Sequence, residues 1–183
     1  MRVPKLTYEE LSPEQKVVWD EIVAGPRGKV HGPFFVWLHS PELLSRGQAL
    51  GLYARYQSGL PQRLSELCIL ITAAHWKAPG EWIDHCPIAT GLGVDAGALE
   101  ALRTGKPAQF TAADDIAVYD LAQELLTTRA VSDASYKRAT DALGMPAVLN
   151  VIAVLGYYGL IAMTLKTFMG PPEGVTDPFA DVE

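Results

Sequence analysis

A chain of 183 residues, 49% hydrophobic and 20% charged, can bury one substantial core and reads as a single domain over 1–183. Its net charge of −6, with no stripe of lysine and arginine, argues against a nucleic-acid surface, so an arginine near a site becomes notable for an acidic ligand. Two cysteines without disulfide-like spacing fit a reducing, cytoplasmic setting, and the opening MRVPKLTYEELSPEQ has no apolar segment of a secretory leader.

In chain order, Ser12-Pro13-Glu14-Gln15 reads as a capping box with proline at the first helical position, opening a helix through Val17, Val18, Trp19, Ile22 and Val23. Gly25-Pro26 closes it. From Arg27 to His39 the glycines, Pro33 and the apolar run Phe34 to Leu38 fit either a short strand or an ordered loop over a pocket. Ser40-Pro41 starts a second helix, with Leu43, Leu44, Leu50, Tyr53 and Tyr56 at helical intervals, closing near Gly59. Two central helices follow, over Leu64 to Ala74 and from Pro79 on. Asp95 caps a short helix with Leu99 and Leu102 inside. Thr111 to Asp114 repeats the capping-box pattern, leading Ile116, Tyr119, Leu125 and Leu126 down one face. Ser132 or Asp133 opens a helix that ends at Gly144.

Ala147 to Met169 is long and apolar enough to span a bilayer. Asn150, the Tyr157-Tyr158 pair, the lack of a basic N-terminal flank and the lack of a second span assign it instead to a core or interface helix, with no membrane. The tail from Gly170 to Glu183, rich in proline, is a poor helix former that is expected loose or wrapped on a neighbour. No run alternates over a strand length, so the fold class is all-α, with about eight helices.

The chemistry concentrates between Arg63 and Gly91. Glu66 stands among Leu67, Ile69, Leu70 and Ile71, where a carboxylate is costly unless paired. Glu81 and His85, four apart, share a helix face, and both can meet Glu66. His75 points away from Glu66 at about 100° per residue. Pro87 is expected to kink the helix just after His85.

Glu66, Glu81-Trp82, His85, Ala89 and Gly93 resemble the signature of the carboxymuconolactone decarboxylase family, allied to the alkylhydroperoxidase D-like proteins. The likeness extends to GPRGKVHGPF and LHSPEL upstream and GYYGLIAMTLKTF downstream, and so to most of the chain. It implies the alkylhydroperoxidase D-like helical domain, no cofactor, and a homotrimer or a pair of trimers, as two nearly all-apolar helices also favour. In the peroxidase branch a glutamate is followed by a Cys-x-x-Cys pair and a histidine. Here the glutamate and histidine are in register, but Ala78 and Glu81 occupy the cysteine positions. Thiol–disulfide chemistry needs a resolving thiol, and Cys68 and Cys86 form no such motif.

The resemblance therefore implies a cofactor-independent lyase, a decarboxylase of a small carboxylated lactone or related unsaturated acid in aromatic-compound breakdown. His85 is the expected proton donor, Glu66 its orienter and Glu81 a relay. Trp82, Cys86, Arg27 and His31 are the candidate substrate contacts, with Arg27 a clamp for an acidic group. Each has a plainer reading. His85 with Glu81 fits a surface ion pair, Glu66 an anchor for Arg55 or Arg63, Trp82 a core residue, and Cys86 a small hydrophobe. No metal is expected, since the four histidines fall on different segments without ligand spacing. The alternatives are a thiol peroxidase of the alkylhydroperoxidase D type, another proton-transfer enzyme on the same residues, and a non-catalytic oligomeric binding protein. Lys166 stands where the resemblance calls for asparagine.

Overall fold

A computed structural model describes residues 1–170 and 174–182; of the proline-rich tail, Pro171, Pro172, Glu173 and Glu183 lie outside the described residues. The described residues are all-helical, with nine α-helices and no strand. They are α1 (Pro13–Ala24), α2 (Phe34–Trp37), α3 (Pro41–Leu52), α4 (Gln62–Trp76), α5 (Pro79–Gly91), α6 (Ala96–Arg103), α7 (Ala113–Thr128), α8 (Asp133–Leu143) and α9 (Met145–Phe168). The helix beyond the expected eight is α2, a single turn where a strand or loop was expected.

The fold is organised around α4, whose residues from Leu64 to Ala73 are all buried. It packs against α5, α7 and α9, so it has no solvent face over that length and needs no amphipathic pattern. The helix α9 is long and apolar enough to cross a membrane, but over half of its most apolar stretch is buried within this fold. Between α3 and α4 the chain makes one π-helical turn, Tyr53–Gln57. Asn150 of α9 braces that turn at both ends: its Oδ1 accepts from Tyr53 Oη at 2.9 Å and its Nδ2 donates to the Ser58 carbonyl at 2.7 Å.

Several caps form as read. The Ser12–Gln15 box, the Asp95 cap and the Ser132 cap are all present. The box at Thr111 is not. Helix α7 begins after Ala112, and its positive first turn carries Asp114 and Asp115, which clasp Arg63. The buried stripe of α7 is Ala117, Val118, Leu121 and Ala122, while Ile116 is exposed. On helix α3 most of the large residues at helical intervals lie outside. Leu43, Leu50, Tyr53 and Tyr56 are exposed, and the face turned inward is Leu44, Gly47 and Gly51. Two aromatic rings claim the room the glycines leave: Trp37 lies against Gly47 and Tyr157 against Gly51. Pro87 does not interrupt α5, which runs unbroken to Gly91.

The described part of the tail is neither loose nor extended away from the domain. Phe179 is buried with its ring edge-on to Trp82 at 5.5 Å. Arg103 holds the tail by its bonds to Asp181 and the Pro178 carbonyl, and Lys77 Nζ donates to the Val182 carbonyl at 2.9 Å.

Helix propensity alone favours alanine over glycine by about 1 kcal/mol, whereas forcing a methyl into a packed ring costs about 1–3 kcal/mol. Gly51→Ala is therefore expected to destabilise the protein despite its better propensity. Gly156→Ala in α9, where an added methyl meets nothing within 4 Å, is expected to stabilise it. Chemical denaturation of both variants checks this; equal stabilisation would mean that Tyr157 does not press on α3.

Candidate active site

The antiparallel pairing of α4 with α5 sets the geometry. Helix α4 ends at Lys77, which takes a left-handed backbone (φ 45°), and α5 starts two residues later at Pro79. This tight reversal lays the second turn of α5 against the middle of α4 and brings His85 to Glu66. His85 Nδ1 donates to Glu66 Oε2 at 2.5 Å. Its other nitrogen, Nε2, lies 3.4 Å from Glu81 Oε2, one turn earlier on the same helix. Glu66 is fully buried, and Glu81 and His85 nearly so.

The carboxylate of Glu66 has a second partner. Arg55, on the π-helical turn, places Nη2 at 3.4 Å from Glu66 Oε1. Arg63 is committed to Asp114 and Asp115, so the choice between the two arginines as anchor falls to Arg55. The ring of Tyr158 meets His85 edge-on at 5.4 Å. Burial pushes the Tyr158 phenol well above its ordinary range and that of Tyr157 to about 12, so both stay neutral O–H groups.

His85, Glu81, Arg55 and the two tyrosines, but not the fully buried Glu66, border a cavity of about 820 Å³. Its polar wall holds Glu81, His85, Arg55, Arg27, His31 and the two tyrosines; Phe34, Ile88, Ile161 and Leu165 are its apolar wall. The Arg27–Pro33 stretch thus forms one wall of the pocket, as the loop reading allowed. The Arg27 guanidinium stacks on Phe34 at 4.9 Å, and its Nε and Nη2 are buried without a hydrogen-bond partner. Desolvation, reinforced by Arg27 and Lys29, lowers the pKa of His31, so that ring is neutral at pH 7. Lys166 also borders the cavity, with Nζ donating to the Lys77 carbonyl at 3.0 Å.

The structure thus groups Glu66, Glu81, His85, Arg27 and His31. Trp82 and Cys86 stand apart from the cavity wall. Trp82 is turned into the core against Phe179, and Cys86 lies one position past His85, rotated off its face. Burial raises the thiol pKa of both Cys68 and Cys86, which disfavours the thiolate. His39 is bonded to the Pro4 carbonyl and His75 is exposed. Among the described residues no three His, Cys, Asp or Glu side chains are grouped as metal ligands.

For His85, burial favours the neutral ring, but hydrogen bonds and negative charge from Glu66 and Glu81 outweigh it and raise the pKa to about 8. At pH 7 the ring is mostly an imidazolium wedged between two carboxylates. It can give a proton from Nε2 toward the cavity and recover one at the same atom.

No family model and no curated protein matches the sequence. Solved structures do. A peroxidase-related protein from Silicibacter sp. TM1040 superposes with a TM-score of 0.74 at 14% identity, over 95% of this chain and 91% of that one. An alkylhydroperoxidase AhpD core, a peroxidase-related protein from Ralstonia eutropha JMP134, gives 0.72 at 16% identity, over 97% and 94%. A protein of unknown function from Agrobacterium tumefaciens, named as a candidate AhpD antioxidant defence protein, gives 0.65 at 14%, over 75% and 95%. The chain has the AhpD-like helical fold. At these identities the likeness extends to fold and not to reaction.

Because folding raises His85 from its ordinary 6.5 to about 8, the protonated form is favoured in the native state. That stabilisation, about 2 kcal/mol, is complete below pH 6.5 and is lost as pH rises through 8. Denaturant midpoints of the wild type and His85→Gln are expected to converge as pH rises across that window. Parallel curves would show that His85 does not hold the extra proton.

Proposed function

We propose that this protein is a cofactor-independent acid–base enzyme acting on a small carboxylated compound, and specifically a decarboxylase of a lactone or unsaturated acid. The observation that carries the reading is the imidazole held by Glu66 on one nitrogen and flanked by Glu81 on the other, in the wall of a cavity that also holds cations. In the reaction, the bond between carbon and its carboxylate breaks and CO₂ leaves. The electron pair stays on the carbon, delocalised into the neighbouring alkene or lactone carbonyl. His85 Nε2–H then delivers its proton to that carbon, and the neutral ring is reprotonated from solvent by way of Glu81. An acid whose pKa lies near working pH does this best.

The roles divide by position. Glu66 fixes the ring and stabilises its cation, Arg27 receives the acidic group, and the apolar wall disfavours the charged ground state relative to CO₂. The expected homotrimer or hexamer belongs to the same proposal, with exposed Leu50, Leu149 and Ile152 as residues a second copy would cover.

A second reading, reduction of peroxide by a thiol, is favoured by the names of the structural neighbours, which support it more directly than they support decarboxylation. Its difficulty is chemical: it needs an accessible thiolate, and Cys68 is buried while Cys86 stands off the cavity.

Release of CO₂ from carboxymuconolactone, and then from a panel of related lactones and unsaturated acids, tests the first reading. His85→Ala is expected to lower turnover by about 10²–10⁴-fold with the helical content unchanged. A Cys68→Ser/Cys86→Ser protein is expected to keep full activity. Peroxide-dependent activity that vanishes in the double serine protein would establish the second reading instead.

A further inference from the structure

Arg55 has two faces with different fates. Its Nη2 reaches Glu66 at 3.4 Å, long for a charged pair, which usually closes to about 2.7–2.9 Å. Its Nε is buried with no hydrogen-bond partner, and the side chain lines the cavity. Arg27, which also lines the cavity, carries two more partnerless, buried nitrogens. Each such N–H forgoes a hydrogen bond that an anion can restore. Glu66, by contrast, is held hard by His85 at 2.5 Å and only loosely by Arg55. The π-helical turn that carries Arg55, pinned by Asn150 from α9, is the kind of local irregularity found at functional sites.

We infer that Arg55 is a positioning residue that couples occupancy of the cavity by a carboxylate to the proton on His85. An anion docked on Arg27 draws the Arg55 guanidinium through Nε and loosens its hold on Glu66. The freed negative charge of Glu66 then falls wholly on the imidazole. The ring is thereby loaded with its proton when substrate is present, and holds it less firmly when the cavity is empty. The inference rests on the acidic-substrate reading above.

The other charges around His85 do not supply this coupling. Glu66 on α4 and Glu81 on α5 are fixed partners. Asp84, in the middle of α5, and Lys166 of α9 border the cavity but are exposed, and Lys166 is tied to the Lys77 carbonyl. Tyr158 and His31 are neutral at pH 7. Among the described residues, Arg55 alone both touches Glu66 and keeps a partnerless donor on a side chain that lines the cavity.

Benzoate is a suitable probe, a flat carboxylate with an apolar body, and benzamide is its uncharged control. By linkage, an anion that raises the proton affinity of His85 binds more weakly as that proton is lost. Titration calorimetry on the wild-type protein is expected to show benzoate affinity falling about tenfold from about pH 7 to about pH 9, across the value near 8 for His85. Arg55→Ala is expected to weaken benzoate about tenfold at pH 7 and to flatten that pH dependence to less than about threefold. Arg27→Ala is expected to weaken binding while keeping the wild-type steepness. An equally steep fall in Arg55→Ala overturns the coupling and leaves His85 as proton donor untouched. Should Arg55→Ala not fold, the Arg55 Nε–H resonance of the wild type decides: it moves with benzoate and not with benzamide, or the inference fails. If benzoate does not bind in the cavity at all, both this inference and the acidic-substrate reading fall, whatever the activity of His85→Ala.

Discussion

The bond between Glu66 and His85 is what the rest of the site depends on. A carboxylate with no solvent exposure, in the middle of a helix buried on every side, would cost several kcal/mol if it stood alone. The surrounding Leu64, Leu67, Ile69, Leu70 and Ile71, each contributing about 1.5–3 kcal/mol on burial, supply the stability that lets one such group be tolerated. Yet they do not neutralise it. Among the described residues only the imidazolium of His85 and the Arg55 guanidinium do that, and both arrive from other segments of the chain. The α4–α5 reversal and the π-helical turn can therefore be understood as devices for delivering positive charge to one buried oxygen pair. The candidate site and the fold share this constraint, since loss of either partner leaves a charge in the core.

Around that centre, α9 does two tasks that its composition hides. Its apolar length fills the space beside α4, and its polar interruptions serve the cavity. Tyr157 and Tyr158 form part of the wall, and Tyr158 leans on the His85 ring. Asn150 fixes the turn that carries Arg55. The close approach needed for this is made by Gly47 and Gly51 of α3, where any side chain would meet Trp37 or Tyr157. A stretch that on length and hydropathy alone passes for a membrane span is thus a core helix in which Asn150, Tyr157 and Tyr158 serve the turn and the cavity.

How much of this was legible in the sequence follows from which interactions are local. The Glu66–Glu81–His85 grouping could be read because two of its members share one helix and the third lies on the next, joined by a short reversal. Caps at Ser12, Asp95 and Ser132 could be read for the same reason. The inward face of α3 could not. Its large residues Leu43, Leu50 and Tyr53 carry the helical period, but packing there is decided by absence of side chain, which hydropathy does not register. Arg55 was visible only as a possible anchor, because its place opposite the cavity depends on a five-residue π turn and on Asn150, nearly a hundred residues away. Trp82 looked like a pocket wall until Phe179 of the returning tail claimed its face. The proline-rich composition of that tail gave no sign that Arg103 and Lys77 would hold it down.

The chemistry of this scaffold turns on two positions. The resemblance places the redox cysteines of the peroxidase branch at Ala78 and Glu81 of this chain. Ala78 is buried at the start of α5, and Glu81 lies beside His85 Nε2. A thiol pair there would exchange electrons with a disulfide, and the histidine would serve to ionise sulfur. A methyl and a carboxylate can do neither. What a carboxylate at that place can do is hold negative charge next to the ring nitrogen that faces the cavity, keeping the imidazole protonated at neutral pH and passing protons to it from solvent. With a carboxylate at position 81, Glu66 and His85 are arranged to hold a proton rather than to ionise a neighbouring thiol, and the likeness to the peroxidase-related structures is one of fold.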